Sequence, residues 1–360
     1  MTIRIGLIGC GWIGGAHSRS IKALIEGGVV DGRVVATSDP HQDRADAYAR
    51  AHGADLATTD VHALLATVDV VWICTPTNTH RALVEAAAAA GVAIYCEKPL
   101  ATTIDDVLAM DAAVEEAGVA NQVGLVLRAE APFVTLQKLL ADGAGQLGRP
   151  MTAILRDDQF FPIRGQYTSM GGGDWRADVT QAGGGALLEH SIHDLDVLAW
   201  LLGPITEVNC RMSNFAGHEG IEDLAVATLV HDGGVTSTLI SVWHDVLSRP
   251  STRRLEVFCQ KALLWLDRED AGPVNVEGGD GTQELSADTA AGWIQDLPMP
   301  PEWRPGLAPY ARADRAFLDA VAAGQPGWPG FDAAVTAHLV ADACYRSAAA
   351  GGVPTPVALR

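Results

Sequence analysis

The sequence is poor in positive charge. Against 44 Asp and Glu it sets only 25 Lys and Arg, a formal net charge of -19 over 360 residues. Recognition of nucleic acid or of an anionic membrane surface needs clustered Lys and Arg, and no basic patch is visible, so neither partner is expected. The chain also lacks a CxxC pair. Its six cysteines (Cys10, Cys74, Cys96, Cys210, Cys259, Cys344) are scattered, several in apolar strand-like runs where a thiol behaves as a small hydrophobe. That pattern excludes a disulfide framework and a zinc ribbon and suits a reducing, cytoplasmic setting. No apolar run is long enough to span a bilayer, and the opening "MTIRIGLIGCG" enters a strand and a glycine turn with no signal-peptide pattern. Internal repeats and low-complexity tails are absent as well.

The length fits two domains, each able to bury its own core. Up to residue 127, β-branched runs ("IRIGLIG", "RVVATSD", "VDVVWICT", "VAIYCEKP", "NQVGLVL") alternate with Ala-rich helical stretches. Continuous apolar strands alternating with helices predict an α/β domain, a parallel sheet covered on both faces. From residue 128 to 360 the rhythm changes. "PMTAILRDDQFF", "ITEVNCRMSNF", "DLAVATLVHD", "GVTSTLISVWHDV" and "RRLEVFCQKALLWLD" follow one another as strand candidates, which predicts an α+β domain with a mostly antiparallel sheet. Residues 270 to 305, rich in Gly, Asp and Pro, read as loop. Two helical patterns close the chain, and the last is expected to pack back toward the first domain.

The first strand runs into GxGxxG as Gly9, Gly11 and Gly14, with Trp12 and Ile13 between them, and a helix follows. The first glycine permits the tight turn, the second lets the backbone approach a pyrophosphate, and the third lets helix and strand pack closely. The helix start then offers free N–H groups to the phosphates. Asp39, at the end of the second strand, stands where a carboxylate accepts ribose hydroxyls and repels a 2'-phosphate, favouring NAD over NADP. A turn aspartate before Pro40 is the plainer alternative, and Arg44 stands close by. "CTPTNTH" brings Thr75, Pro76, Asn78 and His80 to a strand end, and "EKP" brings Glu97 and Lys98 to the next. Ligands of such folds bind outside the carboxyl ends of the strands, so these residues are candidates for the cofactor side. Lys98, fixed before a proline, is also a candidate for catalysis.

"GGGALLEHSIHDLDVLAWLLG" crowds Glu189, His190, His193, Asp194 and Asp196 into one helix start. On an α-helix, Leu188, Ile192, Leu195, Leu198, Ala199 and Leu202 form one stripe. Glu189, His193 and Asp196 then run along its edge, with His190 and Asp194 on another flank. A metal site lacks a convincing third ligand and is not expected. A solvated helix start and a proton-transfer site remain; His193, a group that titrates near neutral pH, points to the latter. Further along the chain, "LRDDQFFPIRGQY" places Asp157, Gln159 and Phe161 on one face of a strand, with Asp158 and Phe160 on the other. Carboxylates beside aromatic rings suit sugar hydroxyls, as they also suit a core with a solvated edge. Trp175 with Arg176, and Trp243 with His244, are similar candidates, Arg176 on the cofactor side. Arg128 is a candidate from the end of the last strand of the first domain.

Together "GCGWIG", "SDP", "CTPTNTH", "CEKPLA", "GLVLR", the glycine-led helix and the tail "CYRSAAAGG" resemble the Gfo/Idh/MocA oxidoreductase family, in the family's order and over nearly the whole chain. The resemblance implies an N-terminal Rossmann domain and a C-terminal domain whose open sheet supports substrate binding and oligomer contacts, giving a homo-oligomer, dimer or tetramer. It implies hydride exchange between NAD and a secondary alcohol of a sugar, sugar derivative or cyclitol. It carries the family's catalytic lysine to Lys98, steadied by a cis-proline, and the histidine of its Asp-x-x-x-His pattern to His193, with Glu189 where the aspartate stands. His193 is then the expected base, Lys98 the partner of the alkoxide, and Glu189 the group that orients His193 and raises its pKa; Arg128, Asp157, His190, Trp243 and His244 join these three as substrate contacts. A redox glycosidase of the same fold and a non-catalytic dinucleotide sensor are the alternatives.

Overall fold

The computed structural model describes residues 2–162, 174–246, 248, 251–268, 272–285 and 292–358. Six short strands, β1 (Ile3–Ile8), β2 (Gly32–Ser38), β3 (Leu56–Thr58), β4 (Val70–Ile73), β5 (Ala93–Cys96) and β6 (Asn121–Val123), form a sheet in the order β3-β2-β1-β4-β5-β6. Its pairs are parallel. Every residue of β4 and β5 is buried, which explains their unbroken apolar runs. The order reverses beside β1, so a crevice opens at the carboxyl ends of β1 and β4, the usual ligand site of this doubly wound arrangement.

The last expected strand of this sheet is cut short. It ends at Val123, and at Gly124 the chain passes so close to Glu97 that a Cβ would lie 2.4 Å from Oε1. The chain turns instead into a 3-10 segment, Val126–Ala129. β3 and the short helix Val61–Leu65, whose N–H groups Asp60 caps, were not apparent in the sequence pattern.

Among the described residues nine strands make the second sheet: β7 (Pro150–Phe160), β8 (Ile205–Ser213), β9 (Leu224–His231), β10 (Thr236–His244), β11 (Thr252–Cys259), β12 (Leu263–Leu266), β13 (Val274–Gly278), β14 (Gly281–Leu285) and β15 (Thr355–Pro356). They run in the order β14-β13-β12-β11-β7-β10-β9-β8-β15, with β7 and β10 parallel and the other pairs antiparallel. The candidate "RRLEVFCQKALLWLD" is a hairpin of two strands, β11 and β12. Part of the expected loop over 270–305 is also a hairpin, β13–β14. Four of the five β14 residues are exposed, so this edge strand carries no apolar alternation to betray it. Residues 286–291 lie outside the described residues, and from Arg304 the chain is helical.

One face of the second sheet is covered by the helices Ile192–Leu202 and Phe331–Ala349; the latter also packs on helix Ile104–Ala117 of the first domain, so a single apolar core runs between the sheets. Helix Arg304–Ala322 returns to pack on helix Trp12–Glu26. No helix among the described residues is long and apolar enough to cross a membrane. The six thiols are free and buried.

A buried charge fixes this return. His17, with no exposed surface, donates from Nε2 to Glu97 Oε1 at 3.0 Å and from Nδ1 to Asp314 Oδ1 at 2.6 Å. Trp72 Nε1 donates to the same Asp314 oxygen at 2.9 Å. Two donating ring nitrogens make His17 an imidazolium. Burial opposes that charge, but Asp314 and Glu97 outweigh it and raise its pKa to about 10.

The raised pKa gives a stability prediction. Between the unfolded histidine value near 6.5 and the folded value of about 10, the native state holds a proton that the unfolded chain has lost. Stability from this site is therefore complete below about pH 6.5 and is lost as pH rises through the folded value. His17→Ala should cost about 3–5 kcal/mol, since it strands two buried carboxylates. Denaturant unfolding across this pH range should show a falling stability in the wild type and a flatter curve in His17→Gln. Equal slopes would contradict the assignment.

Candidate active site

The crevice at the reversal of strand order is a cleft of about 630 Å³. Gly9, Gly11, Trp12, Ile13, Asp39, Thr75, Pro76, Asn78 and Arg176 line it, as the sequence pattern predicts for the cofactor side. Its floor fits a dinucleotide. Gly9 has φ +91°, and a Cβ on Gly14 would lie 2.0 Å from the Gly9 carbonyl oxygen, so only glycine lets the helix approach the strand. Around Gly11 the space is open, and helix Trp12–Glu26 starts there without a side-chain cap. Its first N–H groups are left for an anion. Asp39 is both turn residue and cleft residue. Its Oδ2 accepts the Cys10 N–H and its Oδ1 the His41 N–H, each at 2.9 Å, and a carboxylate has further lone pairs for ribose hydroxyls.

A second, smaller cleft of about 150 Å³ adjoins the first, and the two share Trp12, Ile13, Thr75, Trp175 and Arg176. It is lined by Glu97, Lys98, Glu189, His190 and His193, together with Gln159, Thr77 and Tyr310. The Lys98–Pro99 bond is cis. Lys98 Nζ donates to the Glu189 backbone oxygen at 2.6 Å and stands 3.9 Å from its Oε1. Arg176, stacked over Trp175, donates from Nε to the same Oε1 at 2.7 Å. Burial works against a charge on Glu189, yet Lys98 and Arg176 outweigh it and hold its carboxyl down at about 2.

His193 is 6% exposed, and its Nδ1 has no partner among the described residues. Burial, then the charges of Lys98 and Arg253, push its pKa well below the ordinary histidine value. The expectation that Glu189 orients His193 and raises its pKa is therefore corrected: the Glu189 carboxylate belongs to Arg176 and Lys98, and the surrounding cations keep His193 neutral.

The helix itself is not the continuous α-helix assumed above. Ala186–His190 is a π-turn, and the α-helix begins at Ile192. Glu222 forces the turn into place, accepting the Gly185 and Leu187 N–H groups at 2.8 and 2.9 Å. A Cβ on Gly185 would lie 1.9 Å from the Glu222 carbonyl oxygen, which accounts for a glycine there. The wider turn changes the phase. His190 joins Glu189 and His193 in the cleft; Asp196 pairs with Arg128 and Asp194 with Arg253.

Five expected contact residues lie behind or beyond the clefts. Arg128 makes two bonds to Asp196, at 2.8 and 2.6 Å, with Trp200 and Trp328 beside its guanidinium. His80 is buried between the Thr75 carbonyl and those of Pro99 and Leu100, tying the two cofactor-side loops together. Asp157 is buried and accepts from Ser191 Oγ at 2.7 Å. Trp243 is buried and reaches the cleft through Gln159, whose Oε1 accepts its Nε1–H at 3.1 Å. His244 faces Asp158 on the other side of the sheet. Residues 163–167 of the "LRDDQFFPIRGQY" candidate and Gly171, Gly172 and Gly173 before Asp174 lie outside the described residues.

The sequence reading passed over Glu222, Arg253, Tyr310 and Thr77. Arg253 left a signal: it alternates with Leu255, Val257 and Cys259 on the buried face of β11, an arginine at a core position.

Comparison with known proteins agrees with this geometry. A family model described as an oxidoreductase family with an NAD-binding Rossmann fold matches residues 3–125, and a GFO/IDH/MocA C-terminal domain model matches residues 133–265. The chain is 28% identical over 358 residues to inositol 2-dehydrogenase of Rhizobium meliloti (strain 1021), covering 97% of this chain and 98% of that protein. It is 30% identical over 376 residues to inositol 2-dehydrogenase of Paracoccus denitrificans (strain Pd 1222), covering 100% and 98%. The structure of levoglucosan dehydrogenase in complex with NADH and levoglucosan superposes with a TM-score of 0.87 at 24% identity, covering 99% of this chain and 100% of that one, a likeness of fold.

Proposed function

The chain belongs to the Gfo/Idh/MocA family, as an NAD-dependent oxidoreductase of CH–OH groups in sugars or cyclitols, and we propose that His193 takes the proton of the reacting hydroxyl while Lys98 stabilises its oxygen. One observation carries the proposal: Lys98 and His193 line the same small cleft, continuous with the cleft over the glycine turn. The matched dehydrogenases favour this reading over a redox glycosidase or a sensor.

When bound, NAD would supply the acceptor or donor of the carbinol hydride. The glycine turn and the start of helix Trp12–Glu26 would hold its pyrophosphate, and Asp39 would receive the ribose hydroxyls. Loss of the hydride requires loss of the hydroxyl proton, so a base must touch that oxygen. A neutral imidazole is the form that can accept a proton, and burial with nearby cations keeps His193 in it. The Lys98 ammonium, held by the Glu189 carbonyl, meets the negative charge that develops on the oxygen. Glu189 offsets one of the two charges that Lys98 and Arg176 bring to the cleft. Its small volume suits a single ring.

Turnover of cyclitols and sugars, followed by the nicotinamide absorbance, tests these roles. His193→Ala should lower turnover about 10²- to 10⁴-fold with NAD affinity nearly unchanged. Lys98→Ala should lower turnover and weaken NAD binding as well. Near-normal turnover in His193→Ala, or loss confined to His190 variants, would overturn the assignment. Asp39→Ala should weaken NAD and relieve the exclusion of NADP; wild-type protein that binds NADP as well as NAD would refute the role of Asp39.

We also infer a homo-oligomer built on the open face of the second sheet. There Ile154 and Val226 are 41% and 39% exposed, with Ile240 between their strands on β10. Exposed apolar area on a sheet is what a second copy covers. Light scattering at micromolar concentration should give an oligomer, and Ile154→Lys with Val226→Lys should dissociate it. A monomeric wild type would contradict the inference.

A further inference from the structure

Two imidazoles stand side by side in the small cleft, with ring centres 6.4 Å apart and planes nearly perpendicular. They are not equivalent. His193 Nδ1 meets no partner among the described residues. His190 Nε2, in contrast, lies 2.7 Å from an Arg253 guanidinium nitrogen. A guanidinium only donates. At that distance His190 Nε2 must be the acceptor, and the ring's proton then sits on Nδ1.

Arg253 cannot turn away from this contact. It is 3% exposed, on the inward face of β11. Its Nε donates to Asp194 Oδ1 at 2.8 Å, and one terminal nitrogen stands 3.4 Å from Asp157 Oδ2. Asp157 and Arg253 are direct neighbours across the β7–β11 pairing, so the sheet register itself sets the position. Asp157 Oδ1 also lies 3.4 Å from His190 Nε2 and would suit the opposite tautomer, with the proton on Nε2. The shorter contact to Arg253 decides between the two.

We propose that Arg253 is a positioning residue that locks His190 as its Nδ1–H tautomer, making His190 a fixed hydrogen-bond donor to a second oxygen of the substrate while His193 alone accepts the proton. The proposal rests on the small cleft being the substrate site. It gives the extra imidazole beside His193 a task, and it gives the buried Arg253–Asp157–Asp194 cluster one as well. The ligand chemistry it selects is a hydroxyl or carbonyl oxygen that can accept, besides the oxygen that reacts.

The tautomer can be read directly by ¹⁵N NMR of histidine-labelled full-length enzyme, with and without NAD, the His190 signal being identified by its loss in His190→Asn. A protonated Nδ1 and an unprotonated Nε2 are expected. The double variant Arg253→Gln/Asp194→Asn should release the lock, and the Nε2–H form should appear as the ring turns to Asp157. In kinetics, asparagine at 190 sets its amide N–H near the place of Nδ1, and glutamine sets it near that of Nε2. His190→Gln should therefore raise KM about ten- to a hundredfold above that of His190→Asn, the loss of one substrate hydrogen bond. An Nε2–H signal in the wild type overturns the proposal, and so does an equal KM for the two variants. The spectra are taken without substrate, so they stand or fall apart from the assignment of the substrate site.

Discussion

The site depends on one buried cation. The His17 imidazolium, between Glu97 and Asp314, joins three stretches distant in sequence: the helix after the glycine turn, the end of β5, and the helix Arg304–Ala322. Glu97 in turn accepts the Lys98 N–H at 3.1 Å, so the carboxylate that binds His17 also fixes the backbone from which the lysine projects. Gly124 must be a glycine for Glu97 to lie there. A buried charge of this kind contributes little net stability once desolvation is counted, but removing one partner is severe. Its effect is to allow one arrangement of cofactor turn, lysine loop and returning helix.

Charge in the second cleft is arranged by the same logic at shorter range. Two cations, Lys98 and Arg176, converge on Glu189 and hold it ionised. Lys98 and Arg253, added to burial, hold His193 neutral. One cleft thus keeps a carboxylate as the anion and an imidazole as the free base. Groups whose surroundings drive them toward opposite protonation states are the mark of acid–base chemistry. The π-turn sets Glu189 and His190 beside His193, which the following α-helix carries into the same cleft.

Features governed by local periodicity were legible in the sequence. The strand–glycine–helix start, the parallel first sheet, the Asp39 and Lys98 positions at strand ends and the run of antiparallel strands all follow from spacing and residue type. What was not legible depends on partners far along the chain. Nothing around Ala186–His190 announces a π-turn, because Glu222 imposes it from another segment. Arg128 reads as a substrate contact until Asp196 is seen to claim it, and Glu189 reads as the partner of His193 until Arg176 does so. Arg253 was the exception, visible as a charge on an apolar face, though without Asp194 and His190 its meaning stayed hidden. The β14 strand escaped for the opposite reason, being solvated on both faces.

The central claim is that one hydroxyl oxygen of a polyol meets Lys98 and His193 together, above the cofactor cleft. A crystal structure of the enzyme with nicotinamide cofactor and a turned-over sugar or cyclitol tests it most directly. The account predicts the reacting oxygen within about 2.6–3.2 Å of both Lys98 Nζ and a His193 ring nitrogen. A substrate whose reacting oxygen lies on Tyr310 or His190, with His193 out of reach, would contradict it.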